Sequence, residues 1–285
     1  MYIILGATGH IGSVVAKTLL KQNEAVTVIT RNQDKVHEWE QLGAKVAVVD
    51  VFQTDELRSV LQQAKRLFLL NPPAPPDTDT SKRELDSIRS ILSALTDSGI
   101  EKVVAQSTYG AQPGDQIGDL GVLYEMEQHL SKIGIPATII RGAYYMSNWD
   151  MSLVSAREEG KLYTFFPADF SLPMVAPEDL GHVAAQLITS DSLTGIYHVE
   201  GPEQYSVADV ATVFSVALKR PVEVVTTPRS QWESVMMEVG FSKEAAQSFA
   251  GMTDVTLQKG PEIADSPIRG AITLQTYIRQ LVVQQ

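Results

Sequence analysis

The sequence contains no cysteine among its 285 residues. Disulfides, thiolate nucleophiles, flavin–cysteine links and the usual iron–sulfur ligands are excluded together, so any redox chemistry has to be carried by a cofactor. Basic residues are in deficit, with 23 Lys and Arg against 34 Asp and Glu and a formal net charge of −11. That balance disfavours nonspecific attraction to a phosphate backbone, and direct nucleic-acid binding is not expected. Long apolar runs are also missing: no window approaches the length a bilayer-spanning helix needs. No basic, apolar, small-residue series stands at the amino terminus, and a first strand starting at Tyr2 leaves no room for a leader. The expectation is a cytoplasmic protein without membrane association. The five histidines, at 10, 37, 129, 182 and 198, form no metal-ligand spacing with carboxylates, and no metal is expected.

What the chain does have is concentrated at its start, in MYIILGATGHIGSVVAKTLLKQNEAVTVITR (1–31). A short apolar run from Tyr2 to Leu5, a glycine turn, apolar residues at helical spacing from Ile11 to Leu20 and a second apolar run from Ala25 to Ile29 read as strand, tight turn, helix, strand. Gly6, Gly9 and Gly12 are spaced for three tasks: making the turn, admitting a pyrophosphate close to the backbone, and packing the helix on the sheet. In this context the triplet indicates dinucleotide binding, with Gly6, Thr8, Gly9, His10, Ile11 and Gly12 around phosphates at the helix amino end. The GxxGxxG spacing resembles the short-chain dehydrogenase pattern more than the GxGxxG form.

Further strand–helix units continue through Lys45–Asp50, Arg66–Leu70, Lys102–Gln106 and Ala137–Arg141, which predicts an α/β fold: a Rossmann-type doubly wound parallel sheet with a smaller carboxyl-terminal substrate lobe. The dinucleotide-binding domain is expected over 1–150, with returning segments near 175–200, and the lobe mainly over 151–285. Arg31 ends the second strand, where NAD-preferring sites commonly carry an acid; its guanidinium suits a 2′-phosphate, or it is one more solvated loop charge. Asp50, at the end of the third strand, either accepts from the adenine amino group or caps the next segment. The run Asn71-Pro72-Pro73-Ala74-Pro75-Pro76 can continue neither strand nor helix, and its Asn71–Pro72 edge either lines the nicotinamide half of the cofactor or is a plain loop. Ser107, after the fifth strand, either holds a carbonyl or amide in the crevice or caps the following turn.

The helix over Leu120–Lys132 carries Tyr124, but position 128 is Gln where a carbonyl-reducing dehydrogenase would have lysine four residues after its tyrosine. A phenol with a pKa of about 10 needs a nearby cation to act at neutral pH, and His129 at i+5 points away. Past the sixth strand, Gly142 to Trp149 concentrates aromatic and polar side chains, with Tyr145 the best candidate there for binding a flat conjugated ligand. Leu162 to Pro173 reads as an aromatic, proline-bearing excursion that folds over the nicotinamide, or as buried core.

These features together resemble the NmrA-like, atypical short-chain dehydrogenase/reductase family, including members similar to bacterial NAD(P)H:quinone oxidoreductases. The resemblance rests on ILGATGHIG at Ile4–Gly12, Arg31, the Asn71–Pro73 loop, STYGA at Ser107–Ala111, MEQHLSKIGIPATIIRGAYYMSNW at Met126–Trp149, VAPEDLGHVAAQLI at Val175–Ile188 and YHVEGPEQYSVADVA at Tyr197–Ala211. It implies binding of NADP(H) by preference, with NAD(H) as the alternative. It also implies hydride transfer to a quinone or similar electron-poor small molecule, with Ser107 or Tyr145 orienting the acceptor. Leu123 and Tyr124 stand where several reductase-like relatives have a charged or imidazole residue, which leaves the source of the proton open. A conjugated acceptor tolerates that, because charge spreads over its ring. Two other readings remain: a redox-sensing regulator that binds dinucleotide and acts through a protein partner, and a reductase of iminium or conjugated-alkene substrates. Monomer and homodimer are both compatible with the sequence.

Overall fold

The computed structural model describes residues 1–284. Its first half alternates strand and helix: β1 (Tyr2–Ile4), α1 (His10–Lys21), β2 (Val26–Thr30), α2 (Val36–Gln41), β3 (Lys45–Val48), α3 (Thr54–Leu61), β4 (Arg66–Leu69), α4 (Thr80–Leu95), β5 (Lys102–Thr108), α5 (Asp119–Leu130) and β6 (Ala137–Gly142). The remainder runs β7 (Tyr144–Tyr145), α6 (Ser152–Glu158), β8 (Lys161–Thr164), β9 (Ser171–Val175), α7 (Pro177–Thr189), β10 (Gly195–Glu200), β11 (Gln204–Ser206), α8 (Val207–Leu218), β12 (Glu223–Thr226), α9 (Trp232–Glu238), α10 (Lys243–Lys259), β13 (Ile268–Arg269) and α11 (Leu274–Gln284). Among the described residues no helix is long and apolar enough to cross a membrane.

Eight parallel strands form one Rossmann-type sheet in the order β13-β10-β6-β5-β4-β1-β2-β3. Helices cover both faces, so the inner strands read as continuous apolar runs rather than alternating ones; every residue of YII in β1 and VTVIT in β2 is buried. The two-residue period instead assigns side chains to opposite cores. Ile4, Val28, Phe68, Val104 and Ile140 join the core under α1 and α7, while Ile3, Ile29, Leu67, Val103 and Ile139 join the one under α3, α4 and α5. The chain order reverses between β1 and β4, and the crevice outside the carboxyl ends of those strands is where such sheets receive ligands.

A third core belongs to the lobe, where Met146, Trp149, Leu162, Met174, Phe214 and Ile278 pack together. Its strands form a three-stranded sheet, β11-β9-β7, and a two-stranded one, β12-β8. The excursion expected over Leu162–Pro173 is therefore partly strand. Lys161–Thr164 alternates exposed and buried residues and pairs in parallel with Glu223–Thr226, a partner about sixty residues away that local pattern does not reveal. Helix α8 is started by a reciprocal cap between Ser206 and Asp209, a device worth about 1 kcal/mol. Helix α10 runs unbroken to Lys259 and ties the lobe to the sheet domain. Ser242 N–H donates to Pro76 O (2.9 Å), the Ser81 and Ser248 hydroxyls pair at 2.7 Å, and Gly118 N–H donates to Ser248 Oγ (3.0 Å).

Candidate active site

The glycine turn follows β1 directly. Gly6 has φ +73°, a conformation that disfavours any side chain, and Gly9 N–H closes the turn on Gly6 O at 3.0 Å. A Cβ on Gly12 would lie 2.3 Å from Gly6 O, so the turn and the first helical turn fit only without one. Gly9, in contrast, has room for one, its nearest non-neighbouring atom an ordinary contact 3.5 Å from where a Cβ would be. Helix α1 begins with no side-chain cap and no acidic residue in its first turn. Its unpaired amides and positive dipole end are left for an anion. Thr8, Gly9 and His10 are exposed beside them, whereas the Ile11 side chain is buried and can offer a ligand only its backbone.

The turn opens into a cleft of about 480 Å³ lined by Thr8, Thr30, Arg31, Asn32 and Gln33. Arg31 is exposed there and has no ion-pair partner among the described residues, and the backbone N–H of Asp34 caps the following turn on Asn32 Oδ1 (2.9 Å). Asp50 spends one carboxylate oxygen on the N–H of Phe52 (3.0 Å), a local turn bond. A glycine cradle, a free helix amino end and an unpaired guanidinium immediately after the second strand form a donor set that fits an adenine dinucleotide carrying a 2′-phosphate.

The far end of the crevice differs from the expectation. The Asn71 carboxamide is turned into α4, donating to Glu84 O (3.3 Å) and accepting from Ser87 Oγ (2.6 Å), so the Asn71–Pro72 edge offers a ligand its shape rather than a free amide. Ser107 does not present its hydroxyl to the crevice. It is fully buried and donates to Glu127 Oε1 at 2.6 Å, and Glu127 in turn takes a two-pronged bond from Arg141 at 2.7 and 3.0 Å. Along β5 Ser107 falls on the α4/α5 face with Val103 and Ala105, and a buried carboxylate there needs every donor in reach.

Tyr145, half-buried on β7, does reach the end of β5: its hydroxyl oxygen accepts from Gln106 Nε2 at 3.1 Å. Burial first, and then the charge of Asp119, push its pKa above the ordinary phenol value. Burial pushes the Tyr144 hydroxyl up to about 12. Neither phenol is an effective proton donor at neutral pH. Gln106 is only 3% exposed; its Nε2 is shared among Tyr145, Ser107 O and Ile140 O, and its Oε1 meets no donor in the protein.

Two residues that motif reasoning did not single out complete this end. Glu84 on α4 accepts from the Ala74 N–H of the proline loop at 2.9 Å, and the charge of Asp119, the first residue of α5, acts on its carboxyl. Asp119 is exposed at the start of α5. Burial, with the neighbouring Asp119 charge second, pushes Glu84 up to about 8. The two lie 35 positions apart on separate helices, so no spacing in the sequence marks them as a pair.

A family model described as the NmrA-like family matches residues 2–269. The chain is 24% identical over 249 residues to an NAD(P)H azoreductase of Xenophilus azovorans, covering 87% of this chain and 84% of that protein. It superposes on the NADPH complex of an NADPH-dependent quinone oxidoreductase from Escherichia coli with a TM-score of 0.83, at 23% identity and 99% coverage of both chains. The NADP(H) complex of the triphenylmethane reductase from a Citrobacter species gives 0.82 at 18% identity, covering 98% of this chain and 99% of that one. With the matched model spanning the glycine turn, all eight strands of the main sheet and most of the lobe, the chain belongs to the NmrA-like family.

Proposed function

We propose that this protein is an NADP(H)-dependent reductase that passes hydride to a quinone or a similarly flat, electron-poor small molecule. The observation that carries the reading is the cradle at Gly6–Gly12, open at Gly9 and closed to side chains at Gly12, with Arg31 unpaired at the adenosine end. Thr8, Gly9, His10 and the amides of Ile11 and Gly12 hold the pyrophosphate, Arg31 meets the 2′-phosphate, and the Asn71–Pro72 edge bounds the nicotinamide. When bound, the reduced dinucleotide supplies the hydride. Tyr145, whose oxygen already accepts from Gln106, keeps its hydroxyl hydrogen and can orient an acceptor carbonyl by hydrogen-bonding to it. The names of the relatives, a quinone oxidoreductase, an azoreductase and a triphenylmethane reductase, support the class of acceptor: conjugated molecules that delocalise the incoming electron pair.

The test is anaerobic oxidation of NADPH and of NADH by the purified protein with a panel of quinones, followed by detection of the product. Acceptor-dependent consumption matched to hydroquinone formation, faster with NADPH, is the expected result. Tight NADPH binding with no turnover on any acceptor refutes the reading and favours a dinucleotide-binding regulator.

A further inference from the structure

We propose that Gln106 positions the Tyr145 hydroxyl as a hydrogen-bond donor to the acceptor, and thereby selects conjugated carbonyls such as quinones over conjugated cations such as iminium ions. This rests on the reductase reading and names the class of acceptor within it.

Position comes first. In the sheet order β5 lies two strands from β1, about 10 Å, on the side away from β2, so the end of β5 stands across the crevice from Arg31 and the adenosine end. Gln106 alternates with Ser107 and takes the other face of β5, paired with Ile140 of β6. Tyr145 packs on that face, against the core that also holds Ala7 of the glycine turn and Ile11 of α1. Gly142 makes the meeting possible, because a Cβ there would lie 3.0 Å from both Gln106 Nε2 and Tyr145 Cε1. Gln106 is almost wholly enclosed, whereas Tyr145 is only half-buried.

The hydrogen bonds fix a direction. Gln106 Nε2 is 2.8 Å from Ser107 O and 3.3 Å from Ile140 O. Both are carbonyl oxygens that can only accept, so the amide turns its NH₂ towards them and not its oxygen. The Tyr145 oxygen, 3.1 Å from the same nitrogen, then accepts as well, since an amide nitrogen has no lone pair to offer. The phenol hydrogen meets no acceptor among the described residues and is left for a bound molecule. Burial holds the phenol pKa above its ordinary value, which keeps that hydrogen in place. The arrangement has a cost: Gln106 Oε1 is buried without a donor, a burden that an apolar residue of the same shape would not carry. Packing does not account for a glutamine here; holding Tyr145 does.

A donor that cannot reverse discriminates between acceptors. A carbonyl oxygen takes the Tyr145 hydrogen bond, and takes it more strongly as negative charge develops there. An iminium nitrogen has no lone pair free to accept it. In the step, a conjugated carbon of the acceptor receives a hydride with its electron pair from the reduced dinucleotide, which is left oxidised. The displaced π electrons move to the carbonyl oxygen, where the Tyr145 O–H meets the charge without giving up its proton. A proton from solvent completes the addition, and tautomerisation to the hydroquinone needs no further reagent.

Tyr145→Phe should lower kcat/KM for a naphthoquinone about 10- to 100-fold, the loss of a hydrogen bond to developing charge, and Gln106→Met about 10-fold. NADPH affinity by fluorescence titration should be unchanged in both. The double variant should be no slower than Tyr145→Phe alone, because Gln106 acts through that hydroxyl, whereas a merely structural role multiplies the two losses. Independently of turnover and of any change at Gln106, the infrared carbonyl stretch of the naphthoquinone bound with oxidised NADP should be lowered in the wild type. In Tyr145→Phe it should return towards the solution value. Wild-type kcat/KM for the quinone should exceed that for a cationic triarylmethane dye about 10-fold or more. Multiplied losses in the double variant, a carbonyl stretch indifferent to Tyr145→Phe, or a dye reduced faster than the quinone overturns this role alone. Absence of turnover with every acceptor while NADPH binds overturns the reductase reading and this role with it.

Discussion

Replacing Glu84 by glutamine should make the protein more stable at neutral pH, by an amount that grows with pH. The Glu84 pKa is raised in the fold from 4.5 to about 8 by burial and by Asp119, so between those values the native state holds a proton that the unfolded chain has released. Stability contributed by protonated Glu84 is fully present below 4.5 and is lost as the pH rises through about 8. The limiting slope is one proton's worth, roughly 1.4 kcal/mol per pH unit, whatever the height of the shifted value. By pH 7 the accumulated penalty is on the order of 3 kcal/mol, a large fraction of the stability of an ordinary domain. Glutamine at 84 can still accept from the Ala74 N–H and carries no charge, so the penalty is absent from the variant. Urea unfolding of both proteins at half-unit steps through this window, at constant ionic strength, gives the difference, with Asp119 the other group whose titration responds to the substitution. A difference that does not change with pH would refute the upward shift of Glu84, and one that shrinks as the pH rises would reverse its sign.

The two glycines of the cradle should separate folding from binding: Gly9→Ala, with 3.5 Å of clearance, melts within about 0.5 kcal/mol of wild type but binds NADPH far more weakly. Gly12→Ala, 2.3 Å from a backbone oxygen, loses about 1–3 kcal/mol of stability as well, and thermal melts beside fluorescence titrations read both effects. Arg31→Glu should weaken NADPH about 10- to 100-fold and leave NADH nearly unchanged, since charge-assisted bonds to a 2′-phosphate contribute about 1.5–3 kcal/mol; equal losses for the two nucleotides would remove Arg31 from the adenosine site. Glu127→Ala removes the acceptor of the buried Ser107 hydroxyl and leaves the Arg141 guanidinium with Glu262 and Ala111 O alone, and denaturation should show a cost of about 1–3 kcal/mol. A cost below about 1 kcal/mol would show that water replaces the carboxylate.

Much of the architecture was legible because it is written in short stretches. The apolar runs of β1 and β2, the helical spacing in α1 and α4, and the punctuation by the proline loop after β4 each lie within one window of the chain. The lobe was harder to read. Tyr144–Tyr145, Lys161–Thr164 and Gln204–Ser206 are strands of two to four residues whose identity depends on partners elsewhere in the chain, so their local sequence carries little signal. The side chains at the crevice divide in the same way. Arg31 lies at a strand end whose direction the pattern of β2 indicates, whereas Ser107 was assigned by its place after β5 without regard to which face of the strand it takes. One residue of strand separates a side chain in the crevice from one bonded to Glu127 under α5.

The sequence by itself determined the glycine turn, the Rossmann-type order of elements and the absence of thiol chemistry, because these depend on backbone sterics and composition within a dozen residues. Only the tertiary structure decided which polar groups meet. It turned Asn71 into α4, committed Ser107 to the Glu127–Arg141 pair, joined Tyr145 to Gln106, and brought Glu84 within reach of the Asp119 charge across 35 residues of chain. The physical reason is that a side chain's proton and its hydrogen-bond partner are set by burial and by neighbours in space, and neither follows from neighbours in sequence.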